Sequence, residues 1–108
     1  MAAVADAIRI RALFKDGMTD VHVLMPHPME TGLRKDDAGR LIPAHFITDV
    51  QINCGGRSVL AAPFGRAVSA DPLLHFRFRG GQPGQSISVV WTDTEGEQRS
   101  DVAVILAA

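Results

Sequence analysis

The sequence predicts an all-β sandwich of about seven strands forming a single domain over residues 1–108, with a small hairpin protruding at 33–42. Three observations carry this. Apolar and polar residues alternate with a period of two along most of the chain, as they do on half-buried strands. Glycine-bearing turn signals punctuate the alternation at short intervals. No segment sustains a helical period, and short strands at this spacing favour a sandwich over a barrel.

The strands are expected at 7–13, 19–25, 45–54, 57–62, 73–79, 85–92 and 99–106. In the first, Ile8, Ile10 and Ala12 point one way and Arg9 and Arg11 the other. Val21, Val23 and Met25 alternate with His22 and Leu24. Phe46, Thr48, Val50, Ile52 and Cys54 are expected on one face of the third. Leu74, Phe76 and Phe78 oppose His75, Arg77 and Arg79. Ile87, Val89 and Trp91 share a face, which makes Trp91 a core residue; Val102, Val104 and Leu106 share another. Asp16-Gly17 and Gly55-Gly56 read as two-residue hairpin turns, and "FGRAVSADP" (64–72) has room for one helical turn before Pro72.

One stretch breaks the pattern. "HPMETGLRKDDAGRLIP" (27–43) carries charges, prolines and glycines together with Met29, Leu33, Leu41 and Ile42. Pro26 and Pro28 cannot donate to a strand ladder, so the second strand ends near Met25 or becomes an edge. "DDAG" (36–39) reads as a type I turn with Gly39 in the left-handed position of a bulged hairpin. The stretch is therefore a turn at 27–32 followed by a β-excursion whose apolar residues need cover, the usual mark of an interaction site.

Composition narrows the function. Apolar residues make up 46% and charged residues 21% of 108, a globular balance. Eleven basic and twelve acidic residues give a formal net charge of −1, which argues against a dedicated nucleic-acid or membrane-surface binder. Nine of the basic residues are arginine, the type suited to planar, bidentate and interface pairing. No apolar run is long enough for a transmembrane helix. The opening "MAAVADAIRIRALF" lacks a basic n-region, so no signal peptide of the chain's own is expected.

Catalytic constellations are sparse. The single cysteine, Cys54, is the one candidate reactive thiol, although alternation places it on the apolar face, where free cysteines are commonly inert. His22 and His75 fall on polar faces. His27 and His45 bracket the 27–43 stretch with Glu30 near, a weakly spaced candidate metal trio. "GQSIS" (84–88) departs from a nucleophile elbow, and "GGQPG" lacks the ending of a phosphate loop. No enzyme activity, metal or cofactor is expected.

"HPMETGLRKDDAGRLIPAHFI" resembles the signature of the SoxZ family of bacterial thiosulfate oxidation, in the order H-P-M-E-[ST]-G, R-K-D, G-x-L-I-P. "SADPLLHF" resembles that family's Asn-Pro-aromatic-x-F element, with Asp71 in place of Asn and Leu73 in place of the aromatic. "VVWTDTEG" resembles its W-x-D-x-x-G strand end. The resemblance implies an immunoglobulin-like sandwich with no catalytic residue, paired as a heterodimer with a SoxY-type subunit that carries sulfur intermediates on a cysteine arm. It further implies transient contact with other thiosulfate-oxidation enzymes and export to the periplasm with the partner. The expected docking residues are His27, Pro28, Met29, Glu30, Thr31, Gly32, Leu33, Arg34, Lys35, Arg40, Leu41 and Ile42. The alternatives are a self-sufficient thiol carrier through Cys54, the SoxZ-like part of a quinoprotein-dehydrogenase-associated carrier, or a metal-binding sandwich through His27, Glu30 and His45. An isolated chain is open to forming a homodimer.

Overall fold

The computed structural model describes residues 6–108, so the first five residues of the expected domain lie outside the described residues. It contains eight strands and, among the described residues, no helix: β1 (Arg9–Lys15), β2 (Met18–Leu24), β3 (Ile47–Cys54), β4 (Arg57–Pro63), β5 (Leu73–Arg79), β6 (Ser86–Asp93), β7 (Gln98–Val104) and β8 (Leu106–Ala107). Two four-stranded sheets form, in the orders β5-β2-β1-β8 and β4-β3-β6-β7. All seven expected strands are present, within two residues at most ends.

Register explains the core. Directly opposed residues share a face, so the rows Ile10–Val23–Leu74, Ala12–Val21–Phe76 and Phe14–Thr19–Phe78 line the inside of the first sheet. They meet Ile47, Val50, Ile52, Ile87, Val89 and Trp91 of the second, each at most 2% exposed. Each Val or Ile so buried contributes on the order of 1.5–3 kcal/mol. Thr19 is fully buried and satisfies its hydroxyl by donating from Oγ1 to the Gly80 carbonyl at 2.7 Å.

Three details depart from simple alternation. In β3 the register against β6 shifts between Ile47 and Asp49. The buried set is therefore Ile47, Val50, Ile52 and Cys54, and not Phe46 and Thr48 with them; Thr48 donates its hydroxyl to the Thr92 carbonyl instead. Such a bulge inserts one extra residue and reverses the facing on one side of it. Second, the expected last strand is two. Its run is interrupted at Ile105, 1% exposed, whose N–H donates to the Gln85 carbonyl. The chain then crosses to the other sheet, where Leu106 and Ala107 run parallel to Leu13 and Phe14. Val102, Val104 and Leu106 consequently do not share a face. Third, residues 64–72 hold no helix, only a turn closed by Val68 N–H on the Gly65 carbonyl.

The "RGGQPGQ" loop is fixed by glycine at one point. Gly81 has φ of +79°, and a Cβ there would overlap Thr19 Oγ1 and crowd Ile105. Gly81→Ala is expected to cost about 2–3 kcal/mol, from left-handed backbone strain plus overpacking. The check is a shift of the urea midpoint; an unchanged midpoint would mean the loop relaxes freely.

Candidate functional site

The 27–43 excursion is tied down at its base before it projects. Glu30 and His45 form an isolated antiparallel bridge, with Glu30 N–H on the His45 carbonyl at 2.7 Å and His45 N–H on the Glu30 carbonyl at 2.9 Å. Beyond it, Asp36 N–H donates to the Arg40 carbonyl and Ile42 N–H to the Arg34 carbonyl, with Lys35 opposite Leu41. Gly39, at φ +79°, closes the turn by donating to the Asp36 carbonyl at 3.0 Å. This is the expected small hairpin.

Under the base lies a buried carboxylate. Asp93, at the end of β6, has a fully buried side chain. Its Oδ2 accepts from His27 Nε2 at 3.0 Å and from His45 Nε2 at 2.8 Å. Its Oδ1 accepts the backbone N–H groups of Glu95 at 3.0 Å and Glu97 at 2.9 Å. Four donors thus converge on one carboxylate, joining the end of β2, the approach to β3 and the β6–β7 turn. Burial pushes the Asp93 carboxyl upward, but the histidine and backbone donors outweigh it and hold it below its ordinary value of 3.8.

A lowered folded-state pKa means that the carboxylate's stabilisation is fully present above the unfolded value. It is lost as pH falls through the folded one. Stability to urea is therefore expected to drop below about pH 4, more steeply in the wild type than in Asp93→Asn. Parallel curves for the two would show that Asp93 is not the group responsible.

His27 is held in one tautomer. Its Nδ1 accepts the Met29 N–H at 3.0 Å, so a neutral ring must carry its proton on Nε2, facing Asp93. Only imidazolate, or loss of the Met29 bond, would free Nε2 for a metal. The grouping of His27, His45 and Asp93 has metal-like spacing, but its proton positions suit a hydrogen-bonded fastening. The sequence reading placed Glu30 with the two histidines. Instead Glu30 takes a two-pronged bond from Arg34, with Nη2 to Oε1 at 2.6 Å and Nε to Oε2 at 3.2 Å. That guanidinium holds the Glu30 carboxyl below its usual range.

Met29 sits at φ +48°, a left-handed conformation that costs a non-glycine residue about 1–2 kcal/mol. Its N–H bond to His27 and the Ile47 N–H directed at its Sδ at 3.3 Å hold it there. Asp71, also left-handed at φ +52°, accepts the His27 N–H on Oδ1 at 3.0 Å, while its own N–H donates to the His27 carbonyl. Asn and Asp are the residues that tolerate this conformation and supply that acceptor. Trp91 meets His27 edge-on at 5.0 Å, and among the described residues its buried indole N–H has no hydrogen-bond acceptor.

The expected docking residues thus divide. His27 and Met29, 4% and 5% exposed, are buried and build the base. Glu30, Thr31 and Gly32 are intermediate; Gly32, at φ +85°, packs so closely that a Cβ would lie 3.0 Å from Ala44 Cβ. Thr31 Oγ1 accepts the Leu33 N–H. Pro28, Leu33, Arg34, Lys35, Arg40 and Leu41 are exposed and Ile42 is half-buried. Leu33 at 69% and Leu41 at 60% present the hairpin's apolar surface. Cys54 lies far from this end, 5% exposed at the last position of β3, its Sγ 3.7 Å from Gln85 Oε1. Asp93 itself escaped sequence reading. Its one signal was its place in the W-x-D-x-x-G element, which reads equally well as an ordinary turn.

The family model described as sulphur oxidation protein SoxZ matches residues 8–104. No curated protein matches the chain. Among solved structures, it is similar to a hypothetical protein, PH1083, from Pyrococcus horikoshii OT3. The TM-score is 0.66 and the identity 14%, over 93% of this chain and 88% of that one. It is also similar to a superoxide reductase (neelaredoxin) from Ignicoccus hospitalis, with a TM-score of 0.61 and 15% identity, over 96% of this chain and 82% of that one. At these identities the likeness is one of fold.

Proposed function

Since this chain belongs to the SoxZ family and so to sulfur oxidation, we propose that it is a non-catalytic subunit pairing with a SoxY-type chain. Together the two form the carrier of sulfur intermediates in periplasmic thiosulfate oxidation. The observation that carries this reading is the contrast within 27–43. A buried four-donor carboxylate secures the base, while Leu33 and Leu41 stand in solvent above it. Rigidly presented apolar residues rimmed by charge suit a docking site, because little conformational freedom remains to be lost on association. Arg40 and Lys35 on the same hairpin would act mainly by steering.

Burial of Cys54 favours the partner, and not this chain, as the bearer of the sulfur. The test is co-expression with the SoxY-type chain, size-exclusion chromatography and cell fractionation. Intact mass follows, after thiosulfate and the loading enzyme are added. A one-to-one periplasmic complex with added mass on the partner alone is expected. Mass on Cys54, or no complex, overturns the proposal.

A further inference from the structure

The near-zero net charge conceals a lopsided distribution. The outer face of the first sheet is built from rows set by register. Across its middle, Arg11 lies opposite His22, and His22 opposite His75. The next row joins Leu13, Asp20 and Arg77, and the end row Lys15, Met18 and Arg79. Arg9 completes β1 on the same side, beside Leu24 and Leu73. Five cations are thus spread over three adjacent strands around one strand carboxylate, Asp20, with Asp16 of the β1–β2 turn lining the same depression. On the other sheet the rows Gln51–Val90–Ser100 and Asn53–Ser88–Val102 carry no charge.

Asp20 is already engaged. It accepts from His75 Nε2 at 2.7 Å and from Arg77 Nε at 3.0 Å. Among the described residues, Arg9, Arg11, Lys15 and Arg79 have no ion-pair partner. Like charges crowded on one sheet face lower stability, so the fold alone gives no reason for them.

We propose that this face is a second docking surface, complementary to an acidic surface of a partner protein. Its shape and chemistry select that occupant. The face holds two depressions of about 190 and 420 Å³ on either side of the histidine pair, and the cations lining them, Arg9, Arg11, Lys15 and Arg77, are exposed and not buried donors gathered around a small anion. The two imidazoles are stacked ring on ring, 3.9 Å apart and 12° from parallel. With Asp20 they have metal-like spacing, but Asp20 Oδ1 is already taken by His75 Nε2 and Arg77 Nε, and the arginines around it favour an anionic partner over a cation. A second copy would bring the same sign against itself. Arginines interleaved with Leu13, Leu24 and the exposed Leu73 are the composition of a protein interface. No Phe, Tyr or Trp lies in these rows to stack a base, as single-stranded nucleic-acid platforms require. The surface is separate from the 27–43 hairpin, so it stands or falls independently of the role proposed for that segment.

The probe is poly-L-glutamate, titrated at low salt into isotopically labelled full-length chain and followed by backbone amide shifts. A 20-base-pair DNA duplex and phosphatidylglycerol vesicles are run in parallel. Shifts confined to β1, β2 and β5 are expected, with affinity falling as salt rises. Arg9→Glu/Arg11→Glu and Arg77→Glu/Arg79→Glu should each weaken binding at least tenfold. The corresponding Gln pairs, which remove the charge without repelling the anionic probe, should weaken it less, and both sets should keep the wild-type circular dichroism. The proposal is overturned by absence of binding, by shifts centred on Lys35 and Arg40, by arginine variants that bind as well as the parent, or by tighter binding of the duplex or vesicles through the same residues.

Discussion

Asp93→Ala is expected to remove about 3–5 kcal/mol of stability at pH 7, a large part of the roughly 5–15 kcal/mol that holds a domain of this kind folded. The carboxylate is the common acceptor for four donors. Its loss orphans the His27 Nε2–H, whose side chain is only 2% exposed, and frees two backbone N–H groups of the β6–β7 turn. Each buried donor left unpaired costs about 1–3 kcal/mol; His45, at 24% side-chain exposure, can recover water and contributes least.

Asp93→Asn separates the parts. Its carbonyl oxygen can keep the two turn N–H groups, but its amide would face two ring N–H groups. His45 can change tautomer in response. His27 cannot without surrendering the Met29 N–H, so about 2 kcal/mol should still be lost. Urea unfolding followed by fluorescence of Trp91, the sole tryptophan and in edge contact with His27, reads both variants. A loss below about 1 kcal/mol for the alanine variant would mean the cluster is not the fastening described, since that is less than a single orphaned donor usually costs.

Leu33→Asp/Leu41→Asp should weaken association with a SoxY-type chain by about 100-fold, close to 3 kcal/mol, and leave folding intact. Both side chains are mostly solvent-exposed, so exchanging them for carboxylates exposes no core. In a docked hairpin the same carboxylates would be desolvated without partners, which is where the penalty arises. Isothermal titration of the variant against the partner checks the affinity, and thermal unfolding of the variant alone checks the fold. Unchanged affinity with unchanged folding would remove the hairpin from the interface. Ile42 is a poorer probe: it is half-buried, so Ile42→Asp mixes docking with stability.

Much of this was legible locally. Period-2 alternation is a property of neighbouring residues, and it marked all seven long strands because one face of each must leave water. The hairpin at 33–42 was legible for the same reason: the Asp36–Gly39 turn closes on itself through a bond three residues apart. Where alternation misled, the cause was a long-range pairing. Thr48 turned outward because β3 inserts an extra residue against β6, and Ile105 broke the last strand because its N–H is taken by Gln85.

By itself the sequence determined an all-β chain, a core centred on Trp91 and the valines and isoleucines, a proline-bounded excursion and the family signature within it. Tertiary structure alone decided which charges meet. Asp93 reaches His27 across 66 positions and His45 across 48, while Glu30, the nearer carboxylate in sequence, goes to Arg34. The arginines of β1 and β5 were each readable as a polar strand face, but their union required β5 to pair with β2. The physical reason is the same in both cases. Alternation tells a side chain which way to point, whereas its partner is chosen by strand order and register, which are settled only when the two sheets close over the core.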